Sequence, residues 1–360
     1  MTPSSTSSSE PFSRTAPQRP WVGVLAVMVL LAALGLTGWE LMWRRAGFLP
    51  GEITDQPTLW ALQREQAVGD ATVIIGSSRV LFGIDLETWR RETGVKPLQL
   101  ALPGTSPRKL LHQLAQDGCF RGLVVVGVTE ALFFPQDGGY LQNFTENWER
   151  RLGPASRWEM ALAIRLENQL GYIDRQSPAP NMWRWLPMPQ RHGVPPVPGV
   201  YKLEVMDADR STRLWPRVET DARQRDLARA IWRGMSAANA GMPPMSGAAI
   251  DKVMAAVKAD VAQLQARGGQ VVFVRMPSEG PFLAAERGGF PRARFWNRLL
   301  AETGAPGIHF EDYPQLQGFE LPEWSHLKVA HRAPFTRALA PLVVQAATGR
   351  DRALGRGAER

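Results

Sequence analysis

The chain has 360 residues, 44% of them hydrophobic and 21% charged, a balance that excludes wholesale disorder and leaves ample length for a packed core. Its 42 Lys and Arg against 34 Asp and Glu give a formal charge of +8, but no run of five or six basic residues occurs, so nothing marks a nucleic-acid footprint. The single cysteine, Cys119, excludes an intramolecular disulfide framework and a cysteine-built zinc site, and the spacing of the five histidines suggests neither a metal site nor a cofactor.

Residues 1–20 are rich in Ser, Thr and Pro and read as a disordered tail. From Trp21 to Trp39 the chain runs 19 residues without a charge, a helix of roughly 29 Å at 1.5 Å per residue, enough to cross the hydrocarbon core of a bilayer. Trp21, Trp39 and Trp43 stand where interfacial anchors belong. A cleaved signal peptide has a shorter apolar core and a small-residue cleavage site; neither is present, so 21–43 is read as a retained signal anchor. Arg14 and Arg19 before it nearly balance Arg44 and Arg45 after it. With one early anchor, the long carboxyl-terminal part is expected outside the cytoplasm.

A connector at 51–70 with a helix over 58–68 leads into a domain spanning 60–346. Apolar, β-branched runs predict strands at 71–75, 97–102, 123–128, 269–275 and 308–310. Such runs, apolar on both faces, suit a buried parallel sheet. Helices are expected over 86–93, 107–117, 292–303 and 330–346. The alternation predicts an α/β fold with helices on both faces of a parallel sheet. Residues 140–260 differ. Helical patterns at 219–235 and 248–267 follow a proline-rich excursion at 178–199, and the whole stretch reads as a helical insertion or cap. Residues 347–360, with four arginines and several glycines, read as a flexible basic tail.

Ligands of such sheets bind beyond the carboxyl ends of the strands. Those ends carry Gly76-Ser77-Ser78-Arg79, Pro103-Gly104-Thr105-Ser106, Gly127-Val128-Thr129-Glu130 and Arg275-Met276-Pro277-Ser278, and Glu323-Trp324-Ser325-His326 precedes the last helix. A serine on a tight turn after a buried strand is a common nucleophile, and it needs a base, an orienting acid and oxyanion donors. Ser78, His326 and Glu323 supply the first three, with Asp312 as a spare acid. Gly104 and Ser78 backbone N–H groups and the Thr129 hydroxyl are the candidate donors. Arg79 and Arg275 are candidates to hold an anionic or sugar substrate, against plain surface solvation. Glu130, Ser106 and Ser278 are lesser cleft candidates. Trp148, Trp158, Trp183, Trp185 and Trp215 can stack on sugar rings, though packing is the commoner role.

These blocks, in this order, resemble the SGNH (GDSL-like) hydrolases and acyltransferases. Gly76-Ser77-Ser78 matches the family's Gly-Asp-Ser nucleophile block, Gly104 its second-block glycine, Gly127-Val128-Thr129-Glu130 its Gly-x-Asn-Asp block, and Glu323-Trp324-Ser325-His326 its Asp-x-x-His block. Three departures stand out: Ser77 for Asp, Thr129 for the oxyanion Asn, and Glu323 for Asp. The resemblance implies a three-layer α/β/α domain and a serine-ester mechanism. Combined with a membrane anchor it is similar to proteins that O-acetylate bacterial surface or secreted polysaccharides, often beside a polytopic membrane acyltransferase that delivers the acyl group. It implies an inner-membrane protein with its domain in the periplasm. A carboxylesterase or deacetylase, and a non-catalytic scaffold of an envelope polysaccharide machine, fit the same residues.

Overall fold

The computed structural model describes residues 20–135, 138–139, 141–173, 202–240 and 244–349. The tail at 1–19, the proline-rich stretch at 178–199 with Trp183 and Trp185, and the basic tail from 350 lie outside the described residues.

Five strands, β1 (Val73–Ile75), β2 (Leu98–Gln99), β3 (Leu123–Gly127), β6 (Gln270–Arg275) and β7 (Gly307–His309), form one parallel sheet in the order β2-β1-β3-β6-β7. Between β3 and β6 in the chain, β4 (Glu204–Met206) and β5 (Thr212–Leu214) form a separate antiparallel hairpin. In register, Val73 lies opposite Leu98 on β2 and Val124 on β3, and Phe273 lies opposite Gly307. Successive strand residues point to opposite faces. Ile74, Val125, Val272, Val274 and Ile308 bury against Trp89, Phe335, Leu339 and Val343 on one face. Val73, Ile75, Val124, Val126, Val271 and Phe273 bury against Leu111, Leu114, Met254, Val257 and Val261 on the other. Each such side chain contributes about 1.5–3 kcal/mol on leaving water, and the sheet is apolar on both sides because helices cover both.

Four of the sheet strands lie within their predicted runs as shorter paired segments, and β7 is shifted one residue towards the amino terminus of the run predicted at 308–310. The insertion differs from the expectation in two ways. The helix Gly247–Ala266 is not part of a cap: Ile250, Val253, Met254, Val257, Val261 and Leu264 bury against the sheet, making it the crossover between β3 and β6. The cap also contains the β4–β5 hairpin. Arg210, fully buried in the hairpin turn, donates to the Gln99 carbonyl at 2.6 Å and to the Ala101 carbonyl at 3.1 Å, and pairs with both Asp55 oxygens. This ties the hairpin to the β2 edge.

The first helix, Trp21–Arg45, is long and apolar enough to cross a membrane. Its last turn docks on the domain. Trp43 is buried edge-on to Phe48, with ring centroids 5.2 Å apart, and Glu40 accepts from the Gly171 and Tyr172 N–H groups at 3.0 and 3.1 Å.

Candidate active site

The chain passes from β1 outward to β2, then returns across to β3 on the other side of β1. This reversal opens a crevice at the carboxyl ends of β1 and β3, the usual ligand position in open α/β sheets. Gly76 leaves β1 with φ +152° and faces Gly127 at the end of β3. A Cβ on Gly76 would lie 2.5 Å from Val80 and 3.1 Å from the Gly127 Cα; one on Gly127 would lie 2.4 Å from Val80. Two glycines therefore let the short helix Ser78–Gly83 sink between the strands, which places Ser78 over the crevice.

The Ser78 hydroxyl lies 2.8 Å from His326 Nε2, and His326 Nδ1 lies 2.9 Å from Glu323 Oε1. The same carboxylate oxygen accepts from the His326 backbone N–H at 2.6 Å. Trp324, with φ +74°, turns the chain so that residues three apart meet. A non-glycine residue in this region costs of order 1–3 kcal/mol, held by its surroundings: the Trp324 carbonyl accepts from the Glu279 N–H at 3.0 Å, and Arg229 and Arg233 stack over its ring. Glu323 is fully buried and its second oxygen accepts from the indole N–H of Trp232 in the cap.

Burial alone would raise the Glu323 carboxyl, but His326 and the hydrogen bonds from His326 and Trp232 outweigh it and hold the group below the usual carboxylate range. An ionised carboxylate only accepts, so the proton sits on Nδ1 and the Nε2 lone pair faces the serine. Phe82, 4.4 Å from the imidazole centroid, and Trp232, 6.2 Å away, fix the ring plane. Ser78 is half-buried while its base and acid are buried. The arrangement can deprotonate a serine as it attacks a carbonyl carbon and return the proton to a leaving oxygen.

The oxyanion candidates lie in adjoining loops. Leu102 N–H donates to the Gly76 carbonyl at 3.0 Å, so the loop after β2 leaves beside the serine turn. In that loop Gly104 adopts φ +57°. Its N–H and that of Ser78 make no hydrogen bond among the described residues. The Thr129 hydroxyl, at the end of β3, is 2.9 Å from the Ser77 hydroxyl, joining the β1 and β3 ends under the nucleophile.

Arg79 and Arg275 are not at the cleft surface. Each is 3% exposed, and both bind Glu286: Arg79 at 2.6 Å to one oxygen, Arg275 at 2.5 Å to the other. Ser278 donates to Glu286 at 2.7 Å, Arg275 reaches Glu130 at 2.9 Å, and Arg79 donates to Ser325 at 3.2 Å. Two buried cations thus meet two buried carboxylates, and the cluster links the nucleophile helix to the histidine loop. Burial would raise Glu286, but Arg275 and Arg79 outweigh it and bring the group down to about 2. Burial raises Glu130 despite Arg275.

Asp312 pairs with Arg292 at 2.5 Å and takes no part in the triad. Ser106 is buried. Trp148 lies under Arg64 and Trp215 is a core residue, while Trp158 is exposed. Sequence reasoning missed Trp232 and Glu286. Trp232 meets Glu323 91 residues away and Glu286 meets Arg79 207 residues away, and no local spacing marks either.

Among the described residues no cluster of three or more His, Cys, Asp or Glu is arranged to hold a metal ion. A surface cavity of ≈340 Å³ lies at the opposite end of the sheet, beside Thr72, Gly122 and Gln270, away from Ser78. No family model, curated protein or solved structure matches the chain, and the site stands on its own geometry.

Proposed function

We propose that this chain is a membrane-anchored, SGNH-like acyltransferase or esterase that works through a Ser78 ester. The observation that carries the reading is the Ser78–His326–Glu323 relay at 2.8 and 2.9 Å, over the crevice between β1 and β3. Ser78 attacks the acyl carbonyl as its proton passes to His326 Nε2. His326 then protonates the leaving oxygen, and the acyl group moves to an acceptor hydroxyl or to water. Glu323 orients and stabilises the imidazolium. Gly104, Ser78 and Thr129 are the oxyanion donors. The acceptor is a hydroxyl of a bacterial cell-surface or secreted polysaccharide, usually for O-acetylation, with the domain on the periplasmic side of the inner membrane and a polytopic acyltransferase as supplier. Hydrolysis of the same ester would make it a carboxylesterase or deacetylase.

A scaffold role is the second reading, favoured by one observation: Thr129 stands where the family has an oxyanion Asn, and its hydroxyl already meets Ser77.

The test is serine labelling. The detergent-solubilised full chain is treated with a fluorophosphonate and with a chromogenic acetyl ester, beside Ser78→Ala and His326→Ala. Labelling and turnover in the parent, lost in both variants, are expected. A folded parent that neither labels nor turns over the ester overturns the catalytic reading and favours the scaffold.

A further inference from the structure

The helix Pro154–Glu167 buries Met160 and Glu167 against the domain. Its other side carries Trp158, 78% exposed, Leu162, 59%, and Leu166, 40%. Four-residue spacing puts the three on one stripe. Three large apolar side chains on one exposed face call for an occupant.

The position of this helix indicates which. Gly51 N–H donates to the Glu167 carbonyl at 2.9 Å and Thr54 N–H to the Glu167 carboxylate at 2.8 Å. Arg44, in the last turn of the membrane-length helix, donates to the Gln169 carbonyl at 3.3 Å, and Glu40 holds the Gly171 and Tyr172 N–H groups. The carboxyl end of the stripe helix is thus fastened directly to the end of the anchor. Leu41, Met42 and Leu49 are also exposed near the end of the anchor. Arg45 at the anchor end and Arg165 in the stripe helix are exposed cations suited to anionic headgroups, with the exposed Glu159 as the opposing charge on that helix. The helix is 14 residues long, about 21 Å, with a tryptophan in the stripe, the residue most at home at the headgroup level.

We infer that the helix Pro154–Glu167 lies in the headgroup layer of the bilayer crossed by the anchor, with Trp158, Leu162 and Leu166 at the acyl boundary. This rests on Trp21–Arg45 spanning a membrane and is independent of the acyl chemistry. The stripe helix packs on the helix Pro57–Glu65, whose Trp60 indole N–H donates to the Leu100 carbonyl just after β2. The domain therefore stands against the lipid by its β2 edge, with β7 farthest away.

The experiment uses the full chain with the exposed Cys119 replaced by serine. Single cysteines are introduced by Leu162→Cys, Leu30→Cys in the anchor and Ala301→Cys beside β7, and each carries a polarity-sensitive fluorophore. The protein is reconstituted in phosphatidylcholine–phosphatidylglycerol vesicles containing lipids with nitroxides at shallow or deep positions. The expected result is a blue-shifted label at 162 quenched by shallow nitroxides, a label at 30 quenched by deep ones, and a label at 301 quenched by neither. A label at 162 that behaves like the one at 301 while the label at 30 is quenched overturns the inference and leaves the anchor intact. A label at 162 shielded from aqueous iodide but untouched by lipid nitroxides shows a protein on the stripe, and also overturns it. An unquenched label at 30 overturns the anchor itself, and the inference with it.

Discussion

Glu286 holds the buried cluster behind the nucleophile together, and its removal has a computable cost. Glu286→Gln keeps the shape but leaves Arg79 and Arg275, both buried, without their shared anion. The carboxyl sits at about 2, against an ordinary 4.5. A difference of that size corresponds to roughly 3 kcal/mol of folding free energy at neutral pH, inside the ~3–5 kcal/mol typical of breaking a buried pair. The sign is fixed by the depressed folded value. The contribution is fully present above about 4.5 and is lost as pH falls through about 2. Between the two values it is partial. Urea unfolding of the detergent-solubilised parent and variant, followed by tryptophan fluorescence, measures the difference at pH 7 and pH 3. A gap of about 3 kcal/mol that narrows by about 2 kcal/mol at the lower pH is expected. A gap under about 1 kcal/mol at pH 7, or one unchanged by pH, refutes the assignment of Glu286 as the anion that neutralises both arginines.

Two further predictions concern the triad. Trp232→Phe keeps the ring but removes the N–H on Glu323, a bond to a charged acceptor worth about 1.5–3 kcal/mol; kcat/KM on an acetyl ester is expected to fall ~10- to 100-fold, with its pH profile displaced. An unchanged profile would mean that Trp232 only packs. Thr129→Val removes a hydroxyl at nearly constant volume, and if Thr129 donates to the oxyanion kcat falls ~100-fold or more, with recovery in Thr129→Ser. A loss that Thr129→Ser fails to restore would assign the hydroxyl to no donor role.

The sheet was legible because Val73-Ile74-Ile75, Leu123–Gly127 and the 271–274 core of Gln270–Arg275 are apolar along their length, the pattern of strands covered on both faces. The edge strand β2 came out shorter than its apolar run: β1, its strand neighbour among the described residues, has three residues. The β4–β5 hairpin was not legible, since three-residue strands are too short to show a period of two. The layer of Gly247–Ala266 was not legible either, although its apolar spacing was. Periodicity says which face is buried, not against what. Within the site, Ser78 announced itself by its place after a strand, and Glu323 and His326 by a separation of three. Arg79 and Arg275 were misjudged because a residue at a strand end can turn to the crevice or to the interior. The deciding partner, Glu286, lies 207 residues from Arg79.

The triad belongs to the cap as much as to the sheet. The sheet alone positions Ser78, through Gly76 and Gly127. The acid that orients the base is closed from solvent by Trp232, whose helix, Ala222–Ala240, lies in the insertion. Arg229 and Arg233 of that helix cover Trp324, the left-handed residue that brings Glu323 to His326. Lifting the helix would at once expose the carboxylate, remove its second donor and release the strained turn. Each change weakens the Glu323–His326 bond, and none touches the serine. Cap docking and the hydrogen-bonded chain Ser78–His326–Glu323 are therefore coupled, and substitutions on the inner face of Ala222–Ala240 should alter any activity of the site before they alter the fold of the sheet. Arg233→Ala, which leaves every triad atom in place, tests this directly: kcat/KM on an acetyl ester is expected to fall while the unfolding midpoint shifts little, and the opposite pattern would make the helix a stability element alone.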